Sequence, residues 1–129
     1  MIFSNFEMNS HVEELKPLLK HRDIIGYAAA RNTRIFQDCL CEFNKFKEEL
    51  IRKYGSQDMS EDGEELPTIR IRYGDENFPE FSKELEEIGN IKHNAAIMTL
   101  SYPEVIGLLS GEEILAIDWM LRDEEAKNG

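Results

Sequence analysis

The chain has 129 residues, 41% of them apolar and 32% charged, and a formal charge of −11. That is about one domain's length, apolar enough for a core but without the run of about 18 apolar residues that a membrane-spanning helix needs. The shortage of positive charge excludes sequence-tolerant nucleic-acid binding, which depends on basic surface displacing counterions.

The N-terminal stretch MIFSNFEMNS lacks the basic and long apolar regions of a secretory signal, so a cytoplasmic protein is expected. Ser10 and Glu13 fit a capping box, in which a serine hydroxyl and a glutamate three residues on satisfy each other's free amides. With Val12, Leu15, Leu18 and Leu19 forming a stripe, residues 10–20 read as a short helix that Pro17 ends or kinks.

The strongest signal follows. Ile24 to Tyr54 contains no proline, and Gly55 stands where a helix C-cap would. Phe36, Cys39, Phe43, Phe46, Leu50 and Tyr54 recur at helical steps, widened by Ile35 and Leu40. Phe36, Phe43, Phe46 and Leu50 are therefore expected to be at least partly buried. Such a helix runs about 46 Å at 1.5 Å per residue. A compact chain of this length is only about 36 Å across. The helix must overhang, bend near Gly26 or pack on a partner, and a homodimer with the long helices in contact is expected.

Residues 55–67 are polar and rich in turn formers and read as a surface loop. Thr68 to Tyr73 alternate, with Ile69, Ile71 and Tyr73 on one face of a half-buried strand. Pro79 suits a first helical turn, and Phe81, Leu85 and Ile88 mark a short helix stopped by Gly89. His93 to Ser101 is a second β-like run, broken by Pro103. Ser110 and Glu113 form another capping box, opening a helix with Ile114, Ile117 and Leu121 facing inward. The fold class is α+β, mainly helical: one long central helix, several short helices and a small two-stranded β element. A single domain is expected over 1–129, with 1–9 and 124–129 loosely ordered.

Charge is unevenly spread. Residues 1–53 hold nine Lys or Arg against eight Asp or Glu, whereas residues 54–129 hold six against eighteen. The acidic half suits a basic partner, and Glu84, Glu86 and Glu87 are candidate contacts. Tyr27, Arg31 and Arg34 are candidates for an anion or carboxylate dock, since arginines three apart on a helix can converge and offer planar donor forks. The alternative for this pair is internal pairing with the chain's many carboxylates.

Cys39 and Cys41, the only cysteines, would lie about 200° apart on a helix and can neither bridge nor share a metal there. Their presence as thiols fits a reducing compartment. His11, His21 and His93 lack metal-ligand spacing. Asp58 to Gly63 resembles the first half of an EF-hand loop, but Ile69 stands where the bidentate glutamate should be. No phosphate-binding glycine loop or nucleophile elbow is present. No cofactor, metal or catalytic residue is therefore expected.

The run Gly26 to Phe36 (GYAAARNTRIF), the long helix after it, the acidic D-x-x-x-D-G loop and the closing L-S-G-E-E-I-L-x-x-x-x-M-L segment resemble a family of small phage and prophage proteins of Gram-positive bacteria. The resemblance covers about residues 12–122 and departs from the family pattern in the two β-like runs. It brings no activity, but implies an accessory protein working in a bacterial host cytosol.

Together these features lead to an acidic accessory protein that acts by protein–protein interaction rather than as an enzyme. Its expected partner is a host or phage protein with a basic surface, and inhibition of a host defence nuclease (an anti-CRISPR type of role) is one form this could take. The competing expectation is a site around Tyr27, Arg31 and Arg34 that binds or cleaves a phosphorylated signal molecule.

Overall fold

The computed structural model describes residues 1–123. Strand β1 (Ile2–Ser4) leads into helix α1 (Asn5–Leu15), followed by a tight helical turn over Lys16–Lys20. The long helix α2 (Ile24–Tyr54) comes next, then a hairpin of β2 (Ser56–Met59) and β3 (Glu65–Arg70). Helix α3 (Phe78–Gly89), strands β4 (Lys92–Asn94) and β5 (Leu100–Ser101), helices α4 (Tyr102–Val105) and α5 (Gly111–Ala116), and strand β6 (Leu121–Arg122) complete the order. The architecture is mainly helical α+β, as the patterning predicts.

Helix α2 starts and stops where its sequence says. The Asp23 carboxylate accepts from the amides of Ile25 at 3.0 Å and Gly26 at 3.4 Å, and the Gly55 amide donates to the Ile51 carbonyl. Gly26 lies in the first turn of α2, against the preceding segment. Any side chain there would meet the His21 carbonyl oxygen at 1.9 Å, so the glycine lets the preceding turn lie against the helix. Along α2, Ile25, Ala28, Ala29, Asn32, Phe36, Leu40 and Phe43 are buried. Phe46 is 53% exposed and Leu50 half-buried. Phe46 lies about 80° round the helix from Phe36, at the edge of the stripe rather than on it.

The N-terminus corrects the expectation of a loose segment over 1–9 and a helix over 10–20. The capping box that forms is Ser4 with Glu7, closed by amide-to-side-chain bonds of 2.8 and 3.1 Å, while Ser10 lies exposed within α1. Both serines have a glutamate three residues on, so local sequence cannot choose between them. The earlier start wins because it aligns Met8, Val12 and Leu15 toward the core. Beside them, Phe3 and Phe36 meet edge to face at 5.2 Å, and His11 stacks on Trp119 at 4.0 Å.

The β content also departs from the single pair expected between 68–73 and 93–101. The described residues form three two-stranded pieces: β1 with β4 antiparallel, β2 with β3 as a hairpin, and β5 with β6 parallel. Residues 56–59, expected as loop, are strand, joined to β3 across a turn where Gly63 takes φ +83°. The strand expected to run to Tyr73 ends at Arg70, and its face is not half-buried: Ile69 is 38% and Tyr73 87% exposed. Within the second β-like run, residues 95–99 are not strand. The Asn32 side chain binds both backbone groups of Met98, donating to its carbonyl at 2.9 Å and accepting from its amide at 2.7 Å, in place of a neighbouring strand.

Ser110 and Glu113 form the second capping box as expected. Ile117 is buried, with Ile114 and Leu121 packed partly buried against the core. One cluster of buried residues reaches from Phe3 to Met120. The tail 124–129 lies outside the described residues. No helix among those described is long and apolar enough to cross a membrane.

The helix caps make stability sensitive to acid. Glu7 and Glu113 are held below their ordinary value of 4.5, chiefly by the backbone amides of Ser4 and Ser110. For Asp23, burial acts to raise the carboxyl, but hydrogen bonds from Gly26, His21 and Ile25 outweigh it and hold it below 3.8. Because the folded values lie below the unfolded ones, this stabilisation is complete above about pH 4.5 and is lost as pH falls through the folded values. A melting temperature that declines below about pH 4.5 is expected; a flat profile to pH 3 would refute it.

Candidate functional site

The candidate residues fall on two separate surfaces. Arg34 and Glu49 are about 22 Å apart along the α2 axis at 1.5 Å per residue.

On the N-terminal part of α2, Tyr27, Arg31 and Arg34 are exposed. With Ala30, Ile35 and Asp38 they line an open depression of about 430 Å³. Among the described residues neither arginine forms the internal ion pair considered for it. They lie near one another because they are three apart on a helix, while Ala28, Ala29 and Asn32 take the buried face. A single helix lines the depression, so no second wall encloses a ligand or removes water. The surface can attract an anion through its two guanidinium groups. Arg31→Ala with Arg34→Ala is expected to leave the melting temperature nearly unchanged, within about 0.5 kcal/mol per site. A clear drop in a thermal melt would show that the pair supports the fold.

The second surface surrounds the C-terminal part of α2. At the hairpin tip Glu61, Asp62, Glu64 and Glu65 are exposed. Asp58, read as part of a calcium-like loop, is committed elsewhere. Its carboxylate accepts from Thr68 at 2.7 Å, Arg70 at 2.8 Å and Arg72 at 3.3 Å, and its side chain is 11% exposed. The Thr68 hydroxyl is the main influence holding Asp58 below the usual carboxylate range, with both arginines assisting. Among the described residues no group of three or more His, Cys, Asp or Glu is arranged to hold a metal ion.

Helix α3 presents Glu80, Glu86 and Glu87 to solvent. Glu84 turns toward α2, where Lys53 approaches it at 3.6 Å. Between the helices lies a groove of about 360 Å³, lined by Phe46, Glu49, Leu50, Lys53, Glu84, Glu87 and Ile88. The structure thus brings Glu84 and Glu87 together and leaves Glu86 off the groove. Phe46 and Glu49 belong to this surface, although sequence reasoning set Phe46 on the apolar stripe and expected it at least partly buried. The signal that could have moved it was its angular offset from Phe36 and Phe43.

The remaining reactive side chains do not converge. Cys39 packs at the core edge and Cys41 is exposed. His11 contacts Glu14 at 2.5 Å, His21 lies 3.5 Å from Asp23, and His93 pairs with Phe3 across β1 and β4. No family model, curated protein or solved structure matches the chain.

Proposed function

We infer that the chain acts by binding a partner protein with a basic surface, through the acidic face made by α3 and the hairpin tip. The observation that carries this reading is the set of solvent-facing carboxylates there. Glu61, Asp62, Glu64, Glu65, Glu80, Glu86 and Glu87 are exposed, and none forms an ion pair among the described residues. Such a face steers a cationic partner and rejects acidic ones. A phage or prophage accessory role in a bacterial cytosol gives this activity a context, and the nucleic-acid channel of a host defence nuclease is a basic surface of the right sign.

The test is capture of basic host proteins at low and high salt, with Glu80→Lys, Glu86→Lys and Glu87→Lys combined. These surface carboxylates contribute little stability singly, so the variant should stay folded. Salt-sensitive capture by the wild type and its loss in the variant are expected. Capture that survives the reversal would refute the reading.

A second reading, an anionic ligand at Arg31 and Arg34, is favoured by the absence of an ion-pair partner for either guanidinium group among the described residues. Nucleotides that raise the melting temperature of the wild type, but not of the doubly substituted variant, would support it.

A further inference from the structure

We propose that the groove between α2 and α3 is the docking site for a cationic amphipathic helix of the partner protein. This rests on the acidic-face reading above and assigns that face its anchoring point. The floor is apolar: Phe46, Leu50 and Ile88 line it. Phe46 is 53% exposed, whereas Phe3, Phe36, Phe43 and Phe81 are at most 6% exposed. A large aromatic left open beside half-buried aliphatic residues is the kind of surface on which an apolar anchor gains binding energy by excluding water.

The walls select the charge of the occupant. Glu49, Glu84 and Glu87 stand around that floor, opposed by Lys53 as the groove's basic side chain. Lys53 reaches Glu84 at 3.6 Å through one oxygen, while the other carboxylate oxygen of Glu84 is buried without a donor among the described residues. The carboxylates that an arriving lysine or arginine can reach are those of Glu49 and Glu87, which are exposed and form no ion pair among the described residues. An amphipathic helix meets both demands, with apolar residues for the floor and basic ones flanking them.

A second copy of this chain fits less well. A two-fold interface places each groove against its own equivalent. Glu49, Glu84 and Glu87 would then face like charges, which disfavours the contact.

The probe is a labelled leucine–lysine peptide with one helical apolar stripe, compared with a proline-interrupted peptide of the same composition. The full chain should bind the helical peptide more tightly than the interrupted one. Phe46→Asp should weaken binding by about tenfold or more while leaving the circular dichroism spectrum unchanged, and Phe46→Ala should weaken it less. Glu49→Lys with Glu87→Lys should remove most of the salt dependence, whereas Glu61→Lys with Glu64→Lys on the hairpin should not.

Salt-sensitive binding that ignores Phe46→Asp, or that responds equally to hairpin and groove reversals, would overturn the groove while leaving the acidic-face reading standing. Failure of the wild type to bind either peptide would overturn both. Sedimentation tests the homodimer expected from the length of α2 against this groove: a monomer, or a dimer that Phe46→Asp leaves intact, upholds the proposal, and a dimer that Phe46→Asp dissociates would assign the groove to a second copy and overturn it.

Discussion

Phe36→Ala is expected to lower the stability of the chain by about 3–5 kcal/mol, the range for emptying a fully buried aromatic site. Phe36 has no exposed surface and lies midway along α2. Its ring meets Phe3 at 5.2 Å, Trp119 at 5.7 Å and His11 at 6.0 Å, joining the two ends of the described chain to its central helix. The cavity cannot close cheaply because its walls come from separate elements that would all have to move. Urea unfolding followed by Trp119, the only tryptophan, should show a lower midpoint with an unchanged slope. Phe46→Ala is the internal control and should cost far less, because that ring is already half in water. Equal losses at the two positions would mean that the stripe is not divided into a buried and an open part.

What local sequence could specify explains which expectations held. The bounds of α2 were legible because a helix of this length carries its own periodicity and a glycine stop, and these features do not depend on distant residues. The Ser110 and Glu113 box was legible for the same reason. By contrast, Ser4 and Ser10 offer equivalent boxes, and the choice depends on how α1 meets the core. The β2–β3 hairpin was missed because Ser56 and Gln57 are exposed and polar, leaving no alternation to read; its order comes from backbone pairing and from bonds such as Gln57 to the Leu66 carbonyl at 2.7 Å. The β1–β4 pairing joins residues about ninety apart and has no local signature. For the site, Arg31 and Arg34 were visible as a helical pair, but whether a carboxylate reaches them depends on the whole fold. The groove was invisible because it exists only where α3 lies beside α2.

Substitution of Asn32 is the other change expected to have a large effect. Asn32 is completely buried in the middle of the run that otherwise looks like a surface cluster of arginines, alanines and threonine. Its amide satisfies the carbonyl and the amide of Met98 at once, and also lies 3.6 Å from the Met120 sulfur. Asn32→Leu keeps much of the volume but leaves both Met98 groups without their partner, at about 1–3 kcal/mol for each group that water cannot reach. Asn32→Asp is more informative. It can still accept from the Met98 amide, but at neutral pH a carboxylate oxygen would face the Met98 carbonyl in place of a donor. Protonation restores the donor, so the folded state of the variant favours the neutral carboxyl and raises its pKa. The sign follows: the deficit relative to wild type is largest at neutral pH and shrinks as pH falls through the raised value. The caps lower the wild type and the variant alike on acidification, so the shrinking deficit brings the two melting curves together. Hydrogen exchange at the Met98 amide should accelerate in Asn32→Leu more than at amides in the middle of α2. A neutral-pH Asn32→Asp variant that melts with the wild type would show that residues 95–99 are held to α2 by packing alone.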